Sequence, residues 1–272
     1  MNKSAVWTIL GLCLVIFSCL HLTAAAEEFA GLIDYQSWAV NVGYPQGLLV
    51  PQGFDGINQD YFHSLPGTSG CHSGKIVIGD SRCCQLGIVQ SYTGRSDYAV
   101  FAVWGGHYIP GTGTSIMTWQ LLSDFEQCFQ EQIRTRGECT VYFFATVNDF
   151  DYAGNYNSGY ISAAVSAAET IASLSYVYEG SEYHPRVIVI GLEGGTTSGD
   201  IVGISPQVFN RYVDSYNREL RSALGSSPLL RDTADLFTPV SQITGGNTTF
   251  IADGLHYSEA TLQKIAAFIA EQ

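Results

Sequence analysis

The sequence predicts an α/β protein, a three-layer α/β/α sandwich built on about five parallel strands. Three observations predict it. From Lys75 onward, short apolar runs alternate with long helix-like segments, the pattern of repeated βαβ units. The runs are apolar almost throughout, as in Val100-Phe101-Ala102-Val103 and Val141-Tyr142-Phe143-Phe144, which suits strands covered on both faces. The segments between them carry apolar residues at helical spacing.

The elements follow in order. Strands are predicted over residues 75–79, 98–104, 140–146 and 186–190, with a short fifth near 230–235. The first helix enters directly from the strand that ends at Gly79-Asp80-Ser81. A second helix is predicted over 115–136. A third, over 158–178, carries Ile161, Val165, Ala168 and Ile171 on one stripe. Ser205-Pro206 supplies an N-cap followed by Pro in the first turn, and Phe209, Val213, Tyr216 and Leu220 form the stripe behind it. The last helix follows Ser258, with Leu262, Ile265, Ala266 and Ile269 at helical spacing. Residues 71–272 are therefore read as one domain, with no internal repeat.

The start of the chain reads differently. Met1-Asn2-Lys3 is weakly positive, 5–20 is almost unbroken apolar sequence, and Thr23-Ala24-Ala25-Ala26 is a small-residue cleavage site. Residues 1–26 are read as a secretory signal peptide. The apolar run falls short of the ~20 residues of a membrane span, and Phe17 is bulky for a lipoprotein signal at Cys19. Stable membrane insertion after cleavage is not expected. Residues 27–70 read as an irregular arm, broken by the near-copies Pro45-Gln46-Gly47 and Pro51-Gln52-Gly53. The localisation predicted is secreted, extracellular, or periplasmic or cell-surface.

The chain of 272 residues holds 12 Lys and Arg against 25 Asp and Glu. Lys3 is the one formally charged residue before Ala26, so the mature chain carries 11 basic and 25 acidic residues, net −14. Such a surface repels nucleic acid and anionic membrane. Five cysteines remain after the signal: Cys71, Cys83, Cys84, Cys128 and Cys139. Export permits disulfides, and an odd count leaves at least one thiol. Cys83 and Cys84, being adjacent, suit different partners, Cys71 among them. No CxxC pair or Cys/His cluster suggests a metal. Asn247-Thr248-Thr249 is the one mature glycosylation sequon.

In open parallel sheets ligands bind beyond the carboxyl ends of the strands, and the polar motifs fall there. Ser81 follows the first strand, Gly105-Gly106-His107-Tyr108 the second, and Asn148-Asp149 the third. Asp253-Gly254-Leu255-His256 comes just before the final helix. A serine hydroxyl is a poor nucleophile until a base accepts its proton, and a carboxylate orients the base. Gly-Asp-Ser alone is a common turn, and Asp-x-x-His alone is often a solvated helix start. Each motif after its own strand, in this order, makes the catalytic reading the stronger one. His63, His72 and His184 have no comparable setting. No Gly-x-Ser-x-Gly elbow occurs. The glycines around Gly194-Gly195 lack the Lys-Ser/Thr of a phosphate loop, and no strand leads into Gly-x-Gly-x-x-Gly. No cofactor is expected.

These residues resemble the SGNH, or GDSL-type, hydrolase superfamily. Gly79-Asp80-Ser81 matches its first block, Asn148-Asp149 its third, and Asp253-Gly254-Leu255-His256 its last. The resemblance runs from about Lys75 to Gln272, and is strongest to the branch reading Gly-Asp-Ser-Arg and Asp-Gly-Leu-His-Tyr, here through Arg82 and Tyr257. It implies a flavodoxin-like sandwich and a Ser81, His256, Asp253 triad. It implies an oxyanion hole from the Ser81 N–H, a glycine N–H and the Asn148 amide. The glycine is Gly105 or Gly106, with Gly106 favoured. Two positions depart from the pattern. Thr146 stands where the third block has glycine. Arg82 replaces a common apolar residue, and either binds an acidic substrate group or, the favoured reading, pairs with a nearby acid. His107 and Asp149 are further candidates to meet substrate.

The function expected is a secreted serine esterase that cleaves carboxylic esters through an acyl-enzyme, with O-acetyl groups on polysaccharide as the favoured substrate. The alternatives are a lipid esterase or lysophospholipase, and a non-catalytic extracellular binding protein that keeps the fold.

Overall fold

The computed structural model describes residues 70–272, apart from 94, 96, 104, 110–114, 118, 151–155, 157, 196–204, 232–236 and 251–253. The predicted signal peptide and almost all of the arm lie outside the described residues. So does Asp253.

The strands, in chain order, are β1 (Lys75–Gly79), β2 (Ala99–Ala102), β3 (Thr140–Phe144), β4 (Tyr176–Tyr178), β5 (Ser181–Tyr183), β6 (Arg186–Gly191) and β7 (Thr238–Pro239). Five of them form the main sheet, all parallel, in the order β2-β1-β3-β6-β7. The other two, β4 and β5, form a separate antiparallel hairpin. The helices are α1 (Ser81–Thr93), α2 (Trp119–Arg136), α3 (Ser158–Ala172), α4 (Pro206–Ser226), α5 (Val240–Thr244) and α6 (Glu259–Glu271).

The three layers follow from the period-2 alternation of each strand. Ile76, Ile78, Val141, Phe143, Val187 and Val189 face α2, α3 and α4. Val77, Tyr142, Phe144, Ile188 and Ile190 face α1 and α6. All of these strand residues are buried, so the apolar runs are satisfied on both faces. A fully buried Val, Ile or Phe contributes roughly 1.5–3 kcal/mol. The predicted stripe of α4 is buried as read, through Phe209, Val213, Tyr216 and Leu220, and Ser205 accepts from Val208 N as its N-cap. Ser258 caps α6 in the same way through Thr261 N.

Four expectations are corrected. The second strand is shorter, Ala99–Ala102, and the helix expected from 115 begins at Trp119. The helix expected over 158–178 stops at Ala172. The chain then enters the β4-β5 hairpin, because Tyr-Val-Tyr favours extended backbone. Glu179 (φ 51°) and Gly180 (φ 82°) supply its two-residue turn with both central residues at positive φ. The fifth strand is Thr238–Pro239 rather than 230–235. Leu230 instead packs, fully buried, in the turn after α4, its N–H on Ser227 O (3.2 Å). Pro239 is tolerated because β7 is an edge strand.

The cysteines also pair differently. Cys71 bonds Cys128, while Cys83, Cys84 and Cys139 are buried free thiols. The Gln132 side chain on α2 bonds both Gly74 N and Gly70 O, holding the start of the domain against that helix and so beside Cys128. Cys83 and Cys84 pack in the layer between sheet and helices, and burial pushes both thiols up.

Candidate active site

The strand order reverses its direction of growth between β1 and β3. In doubly wound sheets the crevice at that point is where ligands sit. Ser81 leaves β1, and Asn148 leaves β3, on either side of this switch point.

The turn into α1 is built without slack. A Cβ on Gly79 would lie 2.4 Å from Cys83 Sγ and 3.0 Å from the Phe144 Cβ, so only glycine lets helix and strand close. Asp80 then caps α1. Its Oδ1 accepts from Arg82 N (3.0 Å), and its carbonyl accepts from Cys83 N and Cys84 N. A cap of this kind is worth about 1 kcal/mol. Ser81 is the first helical residue, so its N–H has no intrahelical acceptor and sits at the positive end of the helix dipole.

His256 comes from the other end of the chain. Its Nε2 lies 2.9 Å from Ser81 Oγ. That is the contact a base needs to take the serine proton. The residues beside it are fixed by α1. Gln85 donates from Nε2 to Tyr257 O (3.1 Å) and accepts Tyr257 N–H at Oε1 (3.1 Å). Ser81 and Gln85 are buried, and His256 is partly exposed. Asp253, the expected orienting acid, is among the residues outside the description.

The third motif centres on Thr146, at the position where the resembled family carries glycine. Thr146 is fully buried and caps the short 3₁₀ turn Val147–Asp149. Its hydroxyl lies 2.7 Å from Asp80 Oδ2 and 2.9 Å from Gly106 O, and accepts from Asn148 N and Asn148 Nδ2 (both 3.1 Å). The Asn148 amide also donates to Gly106 O (3.0 Å) and reaches Asp80 Oδ2 (3.4 Å). One network thus joins the cap of the serine helix to the expected oxyanion donor. The Thr146 hydroxyl supplies contacts to Asp80 and Asn148 that a glycine at this position has no side chain to make.

Gly106 is the favoured oxyanion glycine, and its N–H is already donated to Val103 O (2.9 Å). An added Cβ there would meet Val103 O at 2.6 Å, so close packing demands glycine at this position. Gly105 demands it for another reason, a φ of 65°.

The three candidate substrate contacts fall in different places. Arg82 is buried and turned inward. Nε donates to Leu255 O (3.1 Å), Nη1 to Glu193 O (2.7 Å) and Tyr257 OH (3.3 Å), and Nη2 to Gly194 O (3.0 Å) and Leu255 O (2.8 Å). A guanidinium has five N–H donors, and all five are used. These donors go to backbone carbonyls and the Tyr257 hydroxyl, so none is left for a substrate group, while the guanidinium's charge partly offsets the upward push of burial on the nearby Glu193 carboxyl. Asp149 is fully buried and accepts from Tyr216 OH (2.8 Å). Burial raises its carboxyl to about 8 despite that bond. It points into the fold rather than toward substrate. His107 is half-buried, and its pKa is lowered by burial. It bridges to Ser115 through the bond from Ile116 N to His107 O (2.9 Å).

Of the residues singled out from the sequence, Ser81 and His256 are in contact, and Asn148 lies in the network that reaches the cap of the Ser81 helix. Sequence reasoning missed Gln85 and the roles of Thr146 and Arg82. The available signal was spacing: Ser81, Arg82 and Gln85 share one turn of α1. Among the described residues, no group of three or more His, Cys, Asp and Glu side chains converges as metal ligands. A cleft of about 350 Å³ lies between α4 and the edge strand, lined by Glu193, Asp214, Arg218 and Arg221 among others, but not by Ser81 or His256.

No family model matches the chain, and no curated protein matches it. Among solved structures, that of a carbohydrate acetylesterase family member from Sinorhizobium meliloti is similar at 13% identity, over 73% of this chain and 99% of that one, with a TM-score of 0.43. A likeness that loose transfers no activity.

Proposed function

We propose that the protein is a serine esterase. The observation that carries this reading is the 2.9 Å contact between Ser81 Oγ and His256 Nε2 at the sheet's switch point. Ser81 Oγ attacks the ester carbonyl carbon as His256 takes its proton. The carbonyl π electrons move to oxygen, and the tetrahedral oxyanion forms. When it collapses, the C–O bond to the alcohol breaks, and His256 returns the proton to that leaving oxygen. Water then attacks the acyl-serine by the same route, releasing the acid. Asp253 is assigned to orient His256.

The oxyanion is assigned to the Ser81 N–H, the Asn148 amide and a glycine N–H of 105–106. The Asn148 amide exchanges one of its present acceptors for the oxyanion on the way to the transition state. Such hydrogen bonds commonly tighten only in the reacting complex. One donor of this class is worth about 3–4 kcal/mol. Asn148→Ala should lower kcat by roughly 10²–10³-fold with KM little changed. Thr146→Val removes the hydroxyl that aims Asn148 while keeping the side chain's shape. It should cost about 10–100-fold in kcat, since a small misplacement of a catalytic group has effects of that size. Equal rates for Thr146→Val and wild type would show that Asn148 needs no such support.

The finer proposal is a secreted enzyme acting on O-acetyl groups of polysaccharide. It draws on the reading of residues 1–26 as a signal and on the Cys71–Cys128 disulfide, which suits an oxidising compartment. Two assays test it together. Wild type should hydrolyse p-nitrophenyl acetate, and should release acetate from acetylated xylan faster than fatty acid from lysophospholipid micelles. A reversed preference would make the protein a lipid esterase. No turnover on any ester would leave a binding protein.

A further inference from the structure

We propose that Arg82 and Gln85 are positioning residues which clamp the His256 turn onto the helix that carries the nucleophile. The inference rests on the esterase reading for its kinetic consequence, but its structural content stands alone. Ser81, Arg82 and Gln85 occupy one turn of α1. Arg82 grips the residue before His256 twice, through Leu255 O (3.1 and 2.8 Å). Gln85 grips the residue after it twice, through both Tyr257 backbone groups (3.1 Å each). Arg82 adds the Tyr257 hydroxyl (3.3 Å), and its guanidinium lies 4.6 Å from the centroid of that ring.

His256 is therefore suspended between two fixed points, and both belong to the rigid element that fixes Ser81. The clamp acts on main-chain atoms, so it sets where the turn lies whatever its side chains do. The same guanidinium also holds Glu193 O (2.7 Å) and Gly194 O (3.0 Å) at the exit of β6. One planar cation thus references two separated stretches of chain, 193–194 and 255–257, to the helix that carries Ser81. Lysine carries the same charge but three mobile donors on a compact head, and cannot reproduce the five-point fork.

The test uses the full chain with Arg82→Lys and Gln85→Met. Hydrogen exchange is followed at residues 193–194 and 254–258, and kcat and KM are measured on p-nitrophenyl acetate. The clamp predicts faster exchange at 254–258 in both variants, confined there in Gln85→Met and extending to the 193–194 stretch in Arg82→Lys. It predicts kcat lower by about 100-fold for Arg82→Lys and about 10-fold for Gln85→Met, with KM within about threefold, since displacement of the base is the defect. Should Arg82→Lys fail to fold, Gln85→Met alone carries the same readouts. Unchanged exchange at 254–258 with wild-type kcat overturns the proposal. So does a lower melting temperature with wild-type kcat in the folded protein, which would make both residues ordinary core groups. If wild type itself hydrolyses no ester, the esterase reading fails, and the exchange data alone decide the clamp.

Discussion

Ser81→Ala is expected to lower ester hydrolysis by at least about 10⁴-fold, His256→Ala to do the same, and the double variant to be no worse than either. The reasoning is chemical. Without Oγ there is no acyl-enzyme, and without the imidazole the hydroxyl keeps its proton and remains a weak nucleophile. Two groups that act in one step cannot be lost twice, so the effects do not add. Neither change should unfold the protein. Ser81 loses a single oxygen, and His256 is partly exposed. Circular dichroism melts should stay close to wild type while kcat collapses. An alanine variant retaining more than about a tenth of the rate would remove its residue from the mechanism.

The second large effect concerns stability. Asp149 is fully buried, and burial raises its carboxyl from 3.8 to about 8. The folded state therefore holds a proton that the unfolded chain has already released across that interval. Stability falls as pH rises from about 4 to about 8 and levels off above, because the native state binds more protons there. Integrated over the interval, the loss is on the order of 5 kcal/mol. In the variant Asp149→Asn the new side chain stays neutral at every pH, and its amide oxygen can still accept from Tyr216 OH. The variant should lack this downward slope and be more stable than wild type by several kcal/mol at pH 8.5, with little difference at pH 4. Urea melts across that range measure it. Parallel pH dependence in the two proteins would show that Asp149 is ionised in the fold.

Much of the fold was legible because period and apolarity carried it. Strands covered on both faces left continuous apolar runs such as Val141 to Phe144. Helices left stripes such as Phe209, Val213, Tyr216 and Leu220, and the structure buries them as read. The hairpin after Ala172 was misread because apolar and aromatic residues continue past the helix end. The hairpin's turn is encoded in Glu179-Gly180, two residues whose positive φ has only a weak local signature. The fifth strand was misplaced because Leu230 looks like a strand residue but serves the core from a turn.

The meeting of Ser81 with His256 was legible for a different reason. Each lies in a short motif tied to a strand end or helix start, and the topology of a parallel sheet then brings them to one edge. What supports them was not legible. Arg82 bonds to main-chain carbonyls and to Tyr257 OH, and nothing in the identity of Leu255, Glu193 or Gly194 announces an acceptor. From the sequence Thr146 reads only as a departure from glycine, yet its hydroxyl connects Asp80 to Asn148. The Cys71–Cys128 pair depends on how α2 packs against residues 70–74, a contact across 57 positions that spacing alone does not specify.

The central claim is that Ser81 is a nucleophile activated by His256. A fluorophosphonate probe tests it most directly. After labelling of wild type and digestion with trypsin, the adduct should appear on the peptide Ile76 to Arg82, at Ser81, and should be absent from His256→Ala treated in the same way. An adduct at another serine, or ester hydrolysis that persists while Ser81 stays unlabelled, would contradict the account.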